Sequence, residues 1–105
     1  MTAARVEVDP DAPVGTILPA EVDGVALALI RHALGWAAID RECPHARCSL
    51  VRDGEVVDGT TLVCNCHGSE FDLRTGAVLL DPADRPLSLH RVHASADGRT
   101  LLIDL

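Results

Sequence analysis

Aromatic side chains are almost missing from this chain of 105 residues: Trp36 and Phe71 are the two present. Its core must therefore be built from Val, Leu, Ile and Ala, and Trp36 is expected within it. Long apolar runs are missing too. The stretch from Val25 to Ile30 falls far short of the roughly 20 residues that a membrane-crossing helix requires. Positive charge is in deficit, with 9 Lys and Arg against 16 Asp and Glu and a formal net charge of −7. Such a surface disfavours nucleic acid and anionic membranes, and suits a transient partner with a basic docking face. Sustained helical periodicity, internal repeats and low-complexity linkers are absent, so a single all-β domain over residues 1–105 is expected. The sequence also lacks a glycine-rich phosphate loop, a nucleophile–base pair and a two-His-one-carboxylate iron site, which argues against catalysis by this chain alone. No secretory or twin-arginine signal is seen in Met1-Thr2-Ala3-Ala4-Arg5, and a cytoplasmic location is expected.

What the chain does have is a pair of short segments rich in metal ligands, Cys43-Pro44-His45 and Cys64-Asn65-Cys66-His67. Each offers a thiolate and an imidazole, and 18 residues separate His45 from Cys64. This donor set suits a two-iron, two-sulfide cluster in which one iron takes two sulfurs and the other two nitrogens. With neutral imidazoles the formal charges of ferric irons, sulfides and thiolates cancel, so one electron takes the cluster only to a single negative charge. An all-cysteine cluster starts doubly negative, and adding an electron to it in a poorly solvated pocket is harder. Two Cys and two His also satisfy a structural zinc ion. Against zinc, Cys43 and His45 enclose a single residue, a tight gap for ligands of one metal, and a zinc site gives Cys66 no role.

The spacing Cys-x-His, then Cys-x-x-His, resembles the Rieske family, and the likeness extends through Cys48 and through Gly68-Ser69-Glu70-Phe71-Asp72. The resemblance implies an antiparallel β-sandwich with a small cluster-binding subdomain made by two loops, at residues 43–50 and 64–72. It implies one [2Fe–2S] cluster, with Cys43 and Cys64 on the inner iron and His45 and His67 on the outer, solvent-facing one. Ferric iron would favour ionisation of the outer histidine N–H groups, so the potential should depend on pH. Members similar to the quinol-oxidising complexes join cysteines at the positions of Cys48 and Cys66. Two reduced thiols packed as small apolar groups are the alternative. Ser69 matches a family serine that donates to a bridging sulfide, and Phe71 stands where high-potential members place a tyrosine. Since Phe cannot donate, an intermediate potential is expected. Ala46 and Arg47 replace the leucine and glycine of quinol-oxidising relatives, which counts against quinol docking. Arg47 is expected to be solvated, or else to raise the potential or touch a partner.

Alternation of apolar residues, with turn signals between, gives the strands. They are expected at Arg5–Val8, Thr16–Leu18, Val25–Arg31, Trp36–Asp40, Glu55–Val57, Thr61–Cys64, Ala77–Leu80, Leu87–Ala94 and Thr100–Leu105. Asp58-Gly59 and Asp97-Gly98 mark hairpin turns. The segment Asp81-Pro82-Ala83-Asp84-Arg85-Pro86 corresponds to a third loop that covers the cluster in the family, or is a plain surface turn. His32, His90 and His93 lack spacing to any thiolate and are expected to be solvated rather than ligands. The function expected is a soluble, monomeric one-electron carrier, a ferredoxin passing electrons from a reductase to a terminal oxidoreductase such as an oxygenase. A fixed subunit of a larger redox enzyme and a zinc-stabilised interaction domain are the alternatives.

Overall fold

The computed structural model describes residues 3–44, 47–80 and 85–105. Ten strands and one short helix follow in order: β1 (Ala3–Glu7), β2 (Ile17–Val22), β3 (Val25–His32), β4 (Gly35–Asp40), α1 (Leu50–Asp53), β5 (Gly54–Val57), β6 (Thr61–Cys64), β7 (Ser69–Asp72), β8 (Val78–Leu80), β9 (Leu89–Ala94) and β10 (Thr100–Asp104). They form a six-stranded sheet, β1-β10-β9-β4-β3-β2, and a four-stranded sheet, β5-β6-β7-β8. Every pairing is antiparallel. The all-β expectation holds.

Strands β3 and β4 explain why Val25–Ile30 is continuously apolar rather than alternating. Leu27 and Leu29 of β3, with Ala38 of β4, join one core with Val8, Val22, Leu101 and Ile103, on one face of the six-stranded sheet. Ala28 and Ile30, with Ala37 and Ile39, face the other way and join a second core with Leu62, Phe71, Leu73 and Leu87. A strand buried on both faces needs apolar residues at consecutive positions. Trp36 is half-buried against the first core, as expected.

Turn chemistry fixes the hairpins. Asp23 (φ 51°) and Gly24 (φ 80°) link β2 to β3, and Asp58 (φ 51°) with Gly59 (φ 78°) links β5 to β6. Both pairs place positive φ where Asp tolerates it and Gly adopts it freely. The Ala33 N–H donates to the Gly59 carbonyl at 2.8 Å, tying the turn of one sheet to the turn of the other. Strand β2 runs to Val22, well past the expected Leu18, with Pro19 inside it. Proline is tolerated there because β2 is an edge strand.

Two further differences from the sequence reading concern the site. Ser69–Asp72, expected within the second loop, is strand β7, paired with β6. The helical turn α1 was not anticipated; four residues are too few to carry a periodic signal. His32, expected to be solvated, is buried at the end of β3, where its Nδ1 accepts from the Leu34 N–H at 3.2 Å. Its position next to a hairpin turn suggested exposure, but the Arg31–Trp36 pairing continues the strand through it.

Candidate metal centre

The first ligand loop leaves the end of β4 and is closed at its base by three rungs. Leu50 N–H donates to Arg41 O at 2.7 Å, Glu42 pairs with Ser49, and Cys43 N–H donates to Cys48 O at 2.8 Å. Cys43 and Cys48 are both buried in the second core. His45 and Ala46 lie outside the described residues. Arg41 anchors the base of this loop. Its Nε donates to Leu27 O at 3.1 Å and its Nη2 to Ala20 O at 2.7 Å, while its own N–H reaches Ala26 O at 3.1 Å. One half-buried guanidinium thus fixes the first loop to β2 and β3.

The second loop, Asn65–Gly68, joins β6 to β7. Gly68, at φ 86°, donates to the Cys64 carbonyl at 2.8 Å and closes the turn. Cys64 is fully buried, Cys66 is half-buried and His67 is exposed. Asn65 ties this loop to the element that follows the first one. Its N–H donates to Asp53 O at 2.8 Å, and its Nδ2 to Glu55 Oε1 at 3.0 Å. Helix α1 therefore acts as a spacer between the loops, held by Leu50 on one side and Asp53 on the other. Gly54 ends it, donating to Leu50 O, and a side chain there would collide with that carbonyl.

The loops meet at Cys48 and Cys66, whose sulfurs are in bonding contact with Cα atoms 6.3 Å apart. The ring of His67 lies beside them, its nearest ligand atom within 4.8 Å of both sulfurs. Sulfurs engaged with each other are not offered to a metal, which leaves Cys43 and Cys64 as the buried thiols. The two share one core, and an exposed histidine stands three residues beyond Cys64. Ser69 and Phe71 are fully buried on β7. Two inward-facing thiols with imidazole at the solvent edge fit a binuclear centre, sulfur-ligated inside and nitrogen-ligated outside.

Residues 85–88 border the first loop across a cavity of about 360 Å³ lined by Cys43, Pro44, Arg85 and Leu87 among others. Arg85-Pro86, the end of the expected third loop, thus lies next to the site; residues 81–84 lie outside the described residues. Gly76 holds this segment in place, accepting from the Leu87 N–H at 2.9 Å. At φ 81° its absent Cβ would sit 2.9 Å from the Leu87 carbonyl oxygen.

His90 and His93 lie on β9. His90 Nε2 is 2.8 Å from Asp40 Oδ1, and His93 Nε2 is 4.0 Å from Asp104 Oδ2. Neither joins a ligand cluster among the described residues. Nothing in the sequence singles out Arg41, Asn65 or Gly76 for these supporting roles. A charged residue after a strand usually reads as solvated, so Arg41 had no signal in one sequence; a glycine at Gly76 was the only hint for that position.

A family model described as the Rieske [2Fe-2S] domain matches residues 3–93. The ferredoxin subunit of the 3-phenylpropionate/cinnamic acid dioxygenase of Shigella flexneri is 35% identical over 95 residues, 90% of this chain and 86% of that protein. Among solved structures, the ferredoxin of carbazole 1,9a-dioxygenase from Nocardioides aromaticivorans superposes with a TM-score of 0.83 at 27% identity, covering 98% of this chain and 97% of its own. A complex of reduced oxygenase and oxidized ferredoxin in carbazole 1,9a-dioxygenase matches at a TM-score of 0.79 and 27% identity, over 94% of this chain and 99% of that one.

Proposed function

Because this chain belongs to the Rieske [2Fe–2S] domain family, and is an electron-transfer protein with one [2Fe–2S] cluster rather than an enzyme, we propose that it shuttles single electrons from a reductase to a terminal oxygenase. Cys43 and Cys64 would hold the iron on the core side, and His45 and His67 the one toward solvent. Cys48 and Cys66 form a disulfide that clamps the loops together. The observation that carries this reading is the meeting of two separately anchored loops at Cys48 and Cys66, each with a buried thiol at its base.

A bound [2Fe–2S] cluster would supply one-electron uptake and release. The chain's own residues determine how easily it does so. Strands β6 and β7 and the rungs below Cys43 hold the loops rigid, which keeps reorganisation small when the charge changes. The second core around Cys43 and Cys64 excludes water. Ser69 tunes the potential through its hydroxyl, and Phe71 leaves it lower than a tyrosine would. His67 is exposed and marks the exit toward the acceptor.

The choice of an oxygenase as acceptor follows the relatives, which are ferredoxin subunits of dioxygenases. No helix among the described residues is long and apolar enough to cross a membrane; a cytoplasmic location and a monomeric free form complete the proposal. Electron paramagnetic resonance after dithionite reduction is the test. A rhombic signal with average g below the free-electron value supports mixed sulfur and nitrogen ligation. A protein that binds zinc and carries no acid-labile sulfide overturns it.

A further inference from the structure

In a chain of net charge −7, residues 43–49 and 64–69 hold a single formally charged side chain, and it is positive: Arg47. Arg47 is exposed and adjoins Cys48, whose sulfur meets Cys66 next to His67. Arg52 and Arg74 are engaged by Asp53 and Asp72, whereas Arg47 makes no ion pair among the described residues. It lines a concavity of about 190 Å³ together with Ala26, Cys48 and Ser49. Ser49 precedes α1, but its hydroxyl makes no capping bond to the helix. A guanidinium fork and a hydroxyl thus border one concavity between the first loop and Ala26 of β3, on the loop that meets the second through Cys48.

We propose that this concavity receives a carboxylate side chain from the docking face of the protein that takes the electron, gripped by Arg47 with Ser49 as a second donor. The inference rests on the reading that electrons leave near His67. A planar guanidinium matches a carboxylate through two parallel hydrogen bonds, which fixes orientation as well as position. Net charge acts at long range, and the acidity of the whole chain attracts a net-basic partner. Within a Debye length, about 8 Å at physiological salt, local charge takes over. Arg47 then sets the register of docking by requiring an acid opposite it. Glu42 lines the same concavity and has the wrong sign for such a ligand, which supplies an internal control.

The test is stopped-flow oxidation of the dithionite-reduced holoprotein at low salt by two small oxidants. One is the anionic cobalt(III)–EDTA complex, which presents carboxylates; the other is the hexaammineruthenium(III) cation. Arg47→Gln should slow the anionic oxidant by roughly three- to ten-fold and leave the cation equal or faster. Loss of the positive charge also makes the reduced cluster a better reductant, so a slowing cannot arise from driving force. Arg47→Lys keeps the charge but loses the fork, and should recover only part of the rate. Glu42→Gln should speed the anionic oxidant. With a terminal oxygenase as acceptor, Arg47→Gln should raise KM several-fold at unchanged kcat. Equal rates for wild type and Arg47→Gln with the anion, or a fall in the anion-to-cation rate ratio on Glu42→Gln, overturn the proposal. Failure of the oxygenase arm alone, with the small-ion pattern as expected, counts against the oxygenase as acceptor and leaves the carboxylate site standing.

Discussion

Cys64 and Ser69 are register partners across β6 and β7, and both are fully buried. Partners in an antiparallel pair direct their side chains to the same face of the sheet. The hydroxyl of Ser69 therefore stands beside the Cys64 thiol, the proposed ligand of the inner iron. A donor there favours the more negative, reduced state. Ser69→Ala removes the hydroxyl with little change in volume, and the midpoint potential should fall by roughly 60 mV or more, the equivalent of one charge-assisted hydrogen bond. Protein-film voltammetry reads this directly, and an unchanged potential removes Ser69 from the tuning set.

Phe71 is two residues along β7 from Ser69, on the same buried face, and opposite Leu62. Phe71→Tyr places a hydroxyl into the second core. If it reaches a ligand sulfur the potential rises; without a partner, burial of the hydroxyl costs roughly 1–3 kcal/mol of stability. The expected outcome is a higher midpoint with stability retained. A lower unfolding temperature at constant potential would show that position 71 does not address the cluster.

Cys48 and Cys66 are 18 residues apart in sequence and connect the two loops. Replacing both by Ser should reduce stability by about 3 kcal/mol in the chain-entropy account, and the cluster should be lost faster on dilution or mild heating. The decay of visible absorbance measures this. If the double variant holds its cluster as long as the parent, the clamp is not what keeps the loops together.

Arg41 makes its bonds to carbonyls of β2 and β3, with its guanidinium as donor. Arg41→Gln cannot span both. A loss of roughly 2 kcal/mol is expected, together with weaker retention of the cluster, because the rung at Leu50 rests on the Arg41 carbonyl. Chemical denaturation followed by circular dichroism, set against iron content, separates the two effects. An unaltered iron content would limit Arg41 to a purely structural role.

Burial lowers the pKa of His32, and the neighbouring Arg31 guanidinium lowers it further; Asp72 opposes both. The native state therefore favours the neutral ring, and the unfolded chain binds the extra proton first as pH falls. Stability from this group is complete above the unfolded value, about pH 6.5, and is lost as pH drops toward and through the lowered native value. His32→Gln should flatten the acid limb of the stability profile below pH 6.5. A limb that stays as steep assigns the acid sensitivity to other groups.

The ligand spacing and the turn pairs were legible from residues alone, because both are local. Asp58-Gly59 announces its hairpin through backbone preferences of two adjacent residues; Asp23-Gly24 carries the same signal, and explains why β2 reaches Val22. The hairpin of β3 and β4 was equally plain. Strand β7 was hidden, since Ser69-Glu70-Phe71-Asp72 reads as a continuation of a ligand loop until its partner strand is known. His32 was misjudged for a related reason: burial depends on what covers a residue, and nothing near it in sequence reports that.

The order of cysteines and histidines along the chain offered the proposed donor set, and with it the chemistry to be tested, because ligand identity is a property of side chains. Composition settled a core built mainly from aliphatic side chains and a surface rich in carboxylates. Folding decided which thiols face inward and which meet each other across the loops, since Cys43 and Cys64 become buried in one core only when the two sheets close on it. It also decided that Arg41 supports the first loop, that Arg47 borders a concavity with Ala26 of β3, and that Ser69 lies next to Cys64. Those relations depend on the pairing and packing of strands, which no short stretch of sequence reports by itself.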